Sequence, residues 1–162
     1  MKAWHFSAGD TLGNRDPRKI VIGETLRNPV DEQGLTGPVV PCKRGFHGSA
    51  WVYDALQYAP GLHLWRVELG GEIVPHGDPV DKHAASERTT LAGGDATELV
   101  LSWARWCALE VVELWSAPEI MRRWLETGDP ALREQAEAEA ADASKAAGAT
   151  ARAAGDAARD AA

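Results

Sequence analysis

Positive charge is in short supply in this chain. Lysine and arginine total 17 against 24 aspartates and glutamates, a formal net charge of -7. That balance excludes a broad phosphate-binding surface, which needs concentrated basic charge. It leaves room for a local basic pocket. Cysteine is scarce as well, with two in 162 residues. Cys42 lies in a loop-like stretch and Cys107 in an aromatic-rich helical one. Two thiols in unrelated settings fit a reducing compartment better than a disulfide framework. No apolar run approaches the length of a bilayer span. The patch after Lys2 is much too short for a secretory signal. The expected location is therefore cytoplasmic, with no membrane partner. The phosphate-cradling P-loop, the dinucleotide glycine fingerprint and the nucleophile elbow are all missing. His63, His76 and His83 carry no metal-ligand spacing, so no metal is expected.

What is present is a chain of one-domain length with 44% apolar residues, the composition of a folded protein. The pattern predicts an α+β fold: a small mixed or antiparallel sheet with a short helix in the N-terminal half, packed against C-terminal helices, plus an alanine-rich helical tail. We expect one globular domain over residues 1–128, strand-rich over 1–91 and helical over 95–127, with the tail at 129–162. Ala3 to Phe6 reads as a strand, Gly9 to Arg18 as a loop, and Lys19 to Ile22 as a second short strand. Ser49 is placed to cap a helix whose apolar face is Val52, Ala55, Leu56 and Ala59. Pro60-Gly61 stops it. Trp65, Val67 and Leu69 alternate with polar neighbours, the signature of a half-buried strand. Gly70-Gly71 then permits a bulge before Glu72-Ile-Val74. Pro75 to Ser86 reads as a polar loop and Arg88 to Leu91 as a short strand.

After Asp95 the period changes. Asp95-Ala-Thr-Glu98 reads as a capping box. Leu99, Val100, Trp103, Trp106, Cys107, Leu109 and Leu114 cover so much of the following helix that burial on more than one side is expected. Ser116-Ala-Pro-Glu119 reads as a second helix start, Ile120, Met121, Trp124 and Leu125 as its stripe, and Gly128 as its stop. Trp103, Trp106, Trp115 and Trp124 are expected in the core. Asp129-Pro130 opens the tail, and from Ala131 to Ala162 half the residues are alanine. That composition favours helix but offers only methyl groups for docking. A solvated helix and a close-packed alanine seam that self-associates both fit it.

The candidate site is the turn Cys42-Lys-Arg-Gly-Phe-His-Gly-Ser49. Glycines on both sides of Phe46-His47 let backbone approach a ligand. His47 can bind a ribose hydroxyl or phosphate, or move a proton; it also suits a turn histidine bound to a carbonyl. Lys43 and Arg44 can hold phosphate or stay solvated. Ser49, Tyr53 and Tyr58 flank the short helix, and Tyr58 can stack on a ring or pack in the core with its hydroxyl at the rim. His5 alternates with Trp4 and Phe6 and so faces away from both. Glu72 follows the glycine pair, where carboxylates usually meet solvent. The candidate ligand-binding residues are thus His5, Lys43, Arg44, His47, Ser49, Tyr53, Tyr58 and Glu72.

Several segments together carry a resemblance. Lys2-Ala-Trp-His-Phe6, Cys42 to Ser49, Ala55-Leu-Gln-Tyr-Ala-Pro-Gly61, Arg66-Val-Glu-Leu69, Gly71-Glu-Ile-Val74 and Ala104-Arg-Trp-Cys-Ala-Leu109 resemble an uncharacterised protein family of bacteriophages and bacterial genomes. The resemblance spans about residues 1–130, and many of those proteins carry alanine-rich C-terminal repeats. It implies a phage or prophage origin, hence the cytoplasm of a bacterial host, and brings no established activity. More distantly, His5 with Gly45-Phe-His-Gly-Ser49 and Ala55 to Ala59 is similar in order to the ADP-ribosyltransferase-like fold, where such positions hold the nicotinamide and ribose of NAD. The chain departs from that fold in two respects. His47 stands where it often has tyrosine, and the sequence turns helical after Gly94, where its glutamate-bearing strand is expected.

Three functions follow. The first is a phage-type accessory protein that binds a host protein or a small nucleotide-like ligand without catalysis or cofactor. The second is an NAD-binding ADP-ribosyltransferase-like enzyme, active or degenerate, with His5, His47, Ser49 and a carboxylate such as Glu72 in roles. The third is a structural oligomer assembled through residues 129–162. The acidic balance of the chain and of its tail argues against nucleic acid as a partner.

Overall fold

A computed structural model describes residues 1–13, 16–27, 29 and 33–160. In chain order the elements are β1 (Lys2–Ser7), β2 (Thr11–Gly13), β3 (Asp16–Lys19), β4 (Thr25–Arg27), β5 (Phe46–Gly48), α1 (Val52–Leu56), β6 (His63–His76), β7 (Lys82–Asp95), α2 (Thr97–Glu110), α3 (Glu119–Thr127) and α4 (Pro130–Asp160), with a 3-10 turn at Val112–Leu114. The fold is α+β, as the sequence pattern leads one to expect. It divides into two compact units, Met1–Thr97 and Glu98–Ala162.

The N-terminal unit is built on β6 and β7. Each is 14 residues long, and they pair antiparallel from His63↔Asp95 to His76↔Lys82. The register slips between Gly70 and Ile73, where the glycine pair predicted a bulge. β1 lies along β6, and β4 and β5 share the far edge of β7. Just past β5, Ser49 exchanges two backbone hydrogen bonds with Trp4, of 2.8 and 2.9 Å. This pair joins β5 to the free edge of β1. Strands β1, β6, β7 and β5 therefore form a closed circuit, which satisfies backbone groups that an open edge would leave unpaired.

So short a circuit has little room inside. Ala3 and Ala85 are fully buried in it, with Val67 and Leu69 beside them. A Cβ on Gly48 would stand 2.9 Å from the Ala3 Cβ and 3.4 Å from Val67 Cγ2, so only glycine fits there. Trp65 fills one end of this core, and its indole N–H donates to Ser7 Oγ at 2.8 Å. That bond satisfies the one polar atom that burying tryptophan would otherwise strand.

Several expected elements differ. The stretch from Gly9 to Arg18 holds the β2–β3 hairpin. Ile22 makes only an isolated bridge to Thr90. β4 had no sequence signal beyond Leu26. Ser49 caps nothing: α1 begins after Trp51 without a side-chain cap, because the serine backbone is engaged with Trp4. Pro75 to Ser86 is not a loop. Only residues 77–81 turn, and β7 runs on through Lys82-His-Ala-Ala-Ser86. Its weak strand propensity is overridden by pairing on both edges.

At the end of the N-terminal unit, Asp95 Oδ1 accepts from the Thr97 N–H and hydroxyl, which ties down the start of α2. None of the α2 residues is buried, against the expectation of burial on several sides. Trp103, Trp106 and Trp115 are 41%, 57% and 43% exposed, so they are not core residues. α3 starts after Pro118 with no side-chain cap from Ser116. Its stripe does place Leu125 in the interior. Gly128 ends it in the left-handed region at φ 68°, its N–H donating to Trp124 O at 2.8 Å. Asp129 Oδ1 accepts from the Ala131 N–H and opens α4, a helix of 31 residues in which Ala136 is fully buried. Among the described residues, no helix is long and apolar enough to cross a membrane.

Candidate functional site

The end of the β6–β7 hairpin and the turn before β5 bring the polar residues together. His76 and Lys82 are direct partners in the ladder, so their side chains are neighbours by construction. On the other edge of β7, His47 pairs with Ala84 and Gly48 with His83. Residues 40–44 fold back on themselves through paired backbone hydrogen bonds between Val40 and Arg44, each 2.7 Å. At the tip, Cys42 has φ 64°, a left-handed conformation that costs a non-glycine residue about 1 kcal/mol or more. The turn lays Cys42 over the hairpin end.

Cys42 makes three polar contacts there. Its N–H donates to His47 Nε2 at 3.2 Å. Its Sγ lies 3.6 Å from His76 Nε2 and 3.5 Å from Lys82 Nζ. The Lys82 ammonium also stands 3.7 Å from the centre of the Tyr58 ring, a cation–π geometry. The Tyr58 hydroxyl in turn donates to Asp81 Oδ2 at 2.7 Å, and the Gln57 amide to the same oxygen at 3.1 Å. Donation to Asp81 raises the Tyr58 pKa, because the carboxylate opposes loss of that proton.

These groups border a cleft of about 460 Å³ walled by Trp4, His5, His47, Ser49, Tyr58 and Lys82, with Cys42 at its side. The volume falls within the range of small-molecule sites. The histidines in it are neutral at neutral pH. Burial lowers the His47 pKa to about 4, helped by the positive charges of Lys82 and Arg88 and by His76. His5 is lowered well below its ordinary value, first by burial and then by Arg88 and His47. Because His47 Nε2 accepts from Cys42, the ring proton sits on Nδ1. His5 Nε2 is shut off from solvent and has no hydrogen-bond partner. Buried polar atoms without partners are rare in folded proteins.

Four of the eight expected residues line this cleft: His5, His47, Ser49 and Tyr58. The other four do not. Arg44 reaches back to the carbonyls of Leu35 and Pro38, at 3.1 and 3.3 Å, and holds that loop. Lys43 is exposed. Tyr53 is 69% exposed on the outer side of α1. Glu72 Oε2 accepts from the Val39 N–H at 3.2 Å and pins the preceding loop to β6. The Tyr58 face turned toward Lys82 is covered by the ammonium, which leaves that face unavailable for stacking. The residues that sequence reasoning missed are Lys82, His76, Asp81 and the thiol of Cys42. Lys82 lies 40 positions from Cys42 in a stretch whose sequence reads as a loop, so no local pattern joins them.

Among the described residues, no cluster of three or more histidine, cysteine or acidic side chains could hold a metal ion. No protein-family model, curated protein or solved structure matches this chain.

Proposed function

We propose that the N-terminal unit is a binding module for a small nucleotide-like ligand, held in the cleft without covalent change to the ligand's nucleotide part. The observation that carries this reading is the wall itself. It gathers His5, His47, Ser49, Tyr58 and Lys82 around a cleft, with Ser49 and Lys82 buried where folding alone favours apolar side chains. Neutral His47 has its Nε2 taken by the Cys42 N–H and keeps its Nδ1–H as a donor, which suits the oxygen of a sugar hydroxyl. Lys82 is 9% exposed, and its charge favours an anionic group such as phosphate. The resemblance to the ADP-ribosyltransferase-like fold supports the same ligand class, since His5, His47 and Ser49 are the residues it would use. Glu72 is engaged outside the cleft, which favours binding over transfer. The phage-family resemblance supports an accessory role for that binding inside a bacterial host.

Thermal unfolding of the full chain with NAD, ADP-ribose or AMP at millimolar concentration tests the reading. Ligand at ten times its Kd stabilises by about 1.4 kcal/mol, a rise in Tm of a few degrees for a chain of this size. An unchanged Tm with all three compounds would remove the proposal.

A further inference from the structure

The thiol of Cys42 has surroundings that ligand binding does not require. We propose that Cys42 is a nucleophile for aldehydes, with His76 as its base and Lys82 as the donor that receives the carbonyl oxygen. The inference holds whichever ligand occupies the cleft.

A nucleophile needs a base within reach and an opening to solvent or ligand. Cys42 Sγ has His76 Nε2 at 3.6 Å, within the reach of a sulfur hydrogen bond. It is exposed at the side of the cleft, where a reactant can approach. On its other side stands Lys82 Nζ, 3.5 Å away. A thiol between a base and a cationic donor suits addition to a carbonyl, because negative charge develops on the oxygen as sulfur bonds to carbon. The parts are also held in place. The left-handed backbone of Cys42 is fixed by its N–H bond to His47. His76 and Lys82 are fixed by their ladder pairing, and Lys82 further by the Tyr58 ring that Asp81 anchors. A second observation lies in the same cleft: His5 Nε2 is buried and without a partner. Cys107 shows the alternative. It lies on α2, is half-buried, and has no such neighbours among the described residues.

The step balances without any further reactant. The Cys42 S–H proton passes to His76 Nε2 while Sγ bonds to the aldehyde carbon. The C=O π pair moves onto oxygen, where a Lys82 N–H receives it. His76 then returns the proton to that oxygen. The product is a neutral hemithioacetal, and the reverse path releases the aldehyde.

The test uses the full chain without nucleotide, so its outcome is separate from that of nucleotide binding. Iodoacetamide alkylation of Cys42 and Cys107 is followed by peptide mass spectrometry, with and without glyceraldehyde. In that reporter reaction the S–C bond forms, the C–I bond breaks, iodide leaves with the electron pair and His76 takes the proton. His76→Gln is expected to slow Cys42 alkylation at least about tenfold, the low end of general-base effects, and to leave Cys107 unchanged. Glyceraldehyde is expected to protect Cys42 in the parent protein, and Lys82→Met to weaken that protection several-fold. Equal Cys42 rates in the parent and His76→Gln proteins would overturn the proposal. So would protection of Cys42 no greater than that of Cys107, a result that needs no variant to fold.

Discussion

The two units treat their side chains in opposite ways. The N-terminal unit buries Phe6, Phe46, Trp65, Val67 and Leu69 and also takes Ser49, Lys82, Arg88 and Thr90 inside. The C-terminal unit has tryptophans and leucines to spare, yet only Val112, Leu125 and Ala136 are buried among its described residues. The difference lies in how much backbone each architecture joins. A closed circuit of strands encloses volume on all sides, so even small residues disappear into it. Three helices in sequence enclose little, and bulky residues remain at the surface. Burial of polar groups is therefore a luxury of the strand-built unit, and that is where the candidate site lies.

The largest expected effect is the contrast between two leucines. Leu69 is 1% exposed and Leu114 is 83% exposed. Leu69→Ala should destabilise the protein by about 2–5 kcal/mol, and Leu114→Ala by less than about 0.5 kcal/mol. Urea denaturation measures both, and similar losses would erase the distinction between the units.

Acid should act mainly on the N-terminal unit. The His47 pKa is lowered from 6.5 to about 4, so its contribution to stability is complete above pH 6.5. As pH falls toward 4 the unfolded chain binds a proton that the folded one resists, and stability falls. By linkage the loss approaches about 3 kcal/mol as an upper figure. His47→Gln should flatten the Tm profile between pH 6.5 and 4. A profile as steep as that of the parent protein would contradict the lowered pKa.

Gly48→Val probes the closed circuit, since its side chain would collide with Ala3 and Val67. Overpacking of this kind costs about 1–3 kcal/mol. Unchanged stability would mean that β5 and β1 separate readily. A small effect is also expected at the helix stop of the C-terminal unit. Gly128→Ala places a Cβ in the left-handed cap of α3 and should cost about 1 kcal/mol, read as loss of helical circular dichroism signal at lower urea.

The sequence made the alternating strand Trp65–Leu69, its glycine bulge and the helix stop at Gly128 legible because each has a local cause. β7 was only partly legible: Lys82 to Ser86 has weak strand propensity and becomes a strand through pairing with β6 on one edge and with β5, 35 to 39 positions away, on the other. The same non-locality divided the site. His5, His47, Ser49 and Tyr58 stood out by their flanking residues. Lys82 and His76 became visible only as partners at a hairpin end. The aromatic content of α2 misled in the other direction, because hydrophobicity shows what a residue would gain from burial, not whether anything covers it.

Calorimetric titration of NAD into the full chain, beside a His47→Ala, Lys82→Met double variant, tests the central claim most directly. One saturable site per chain is expected in the parent protein, and at least tenfold weaker binding in the variant, about 1.4 kcal/mol. No heat of binding at millimolar NAD, or equal binding by both proteins, would contradict a nucleotide site in this cleft.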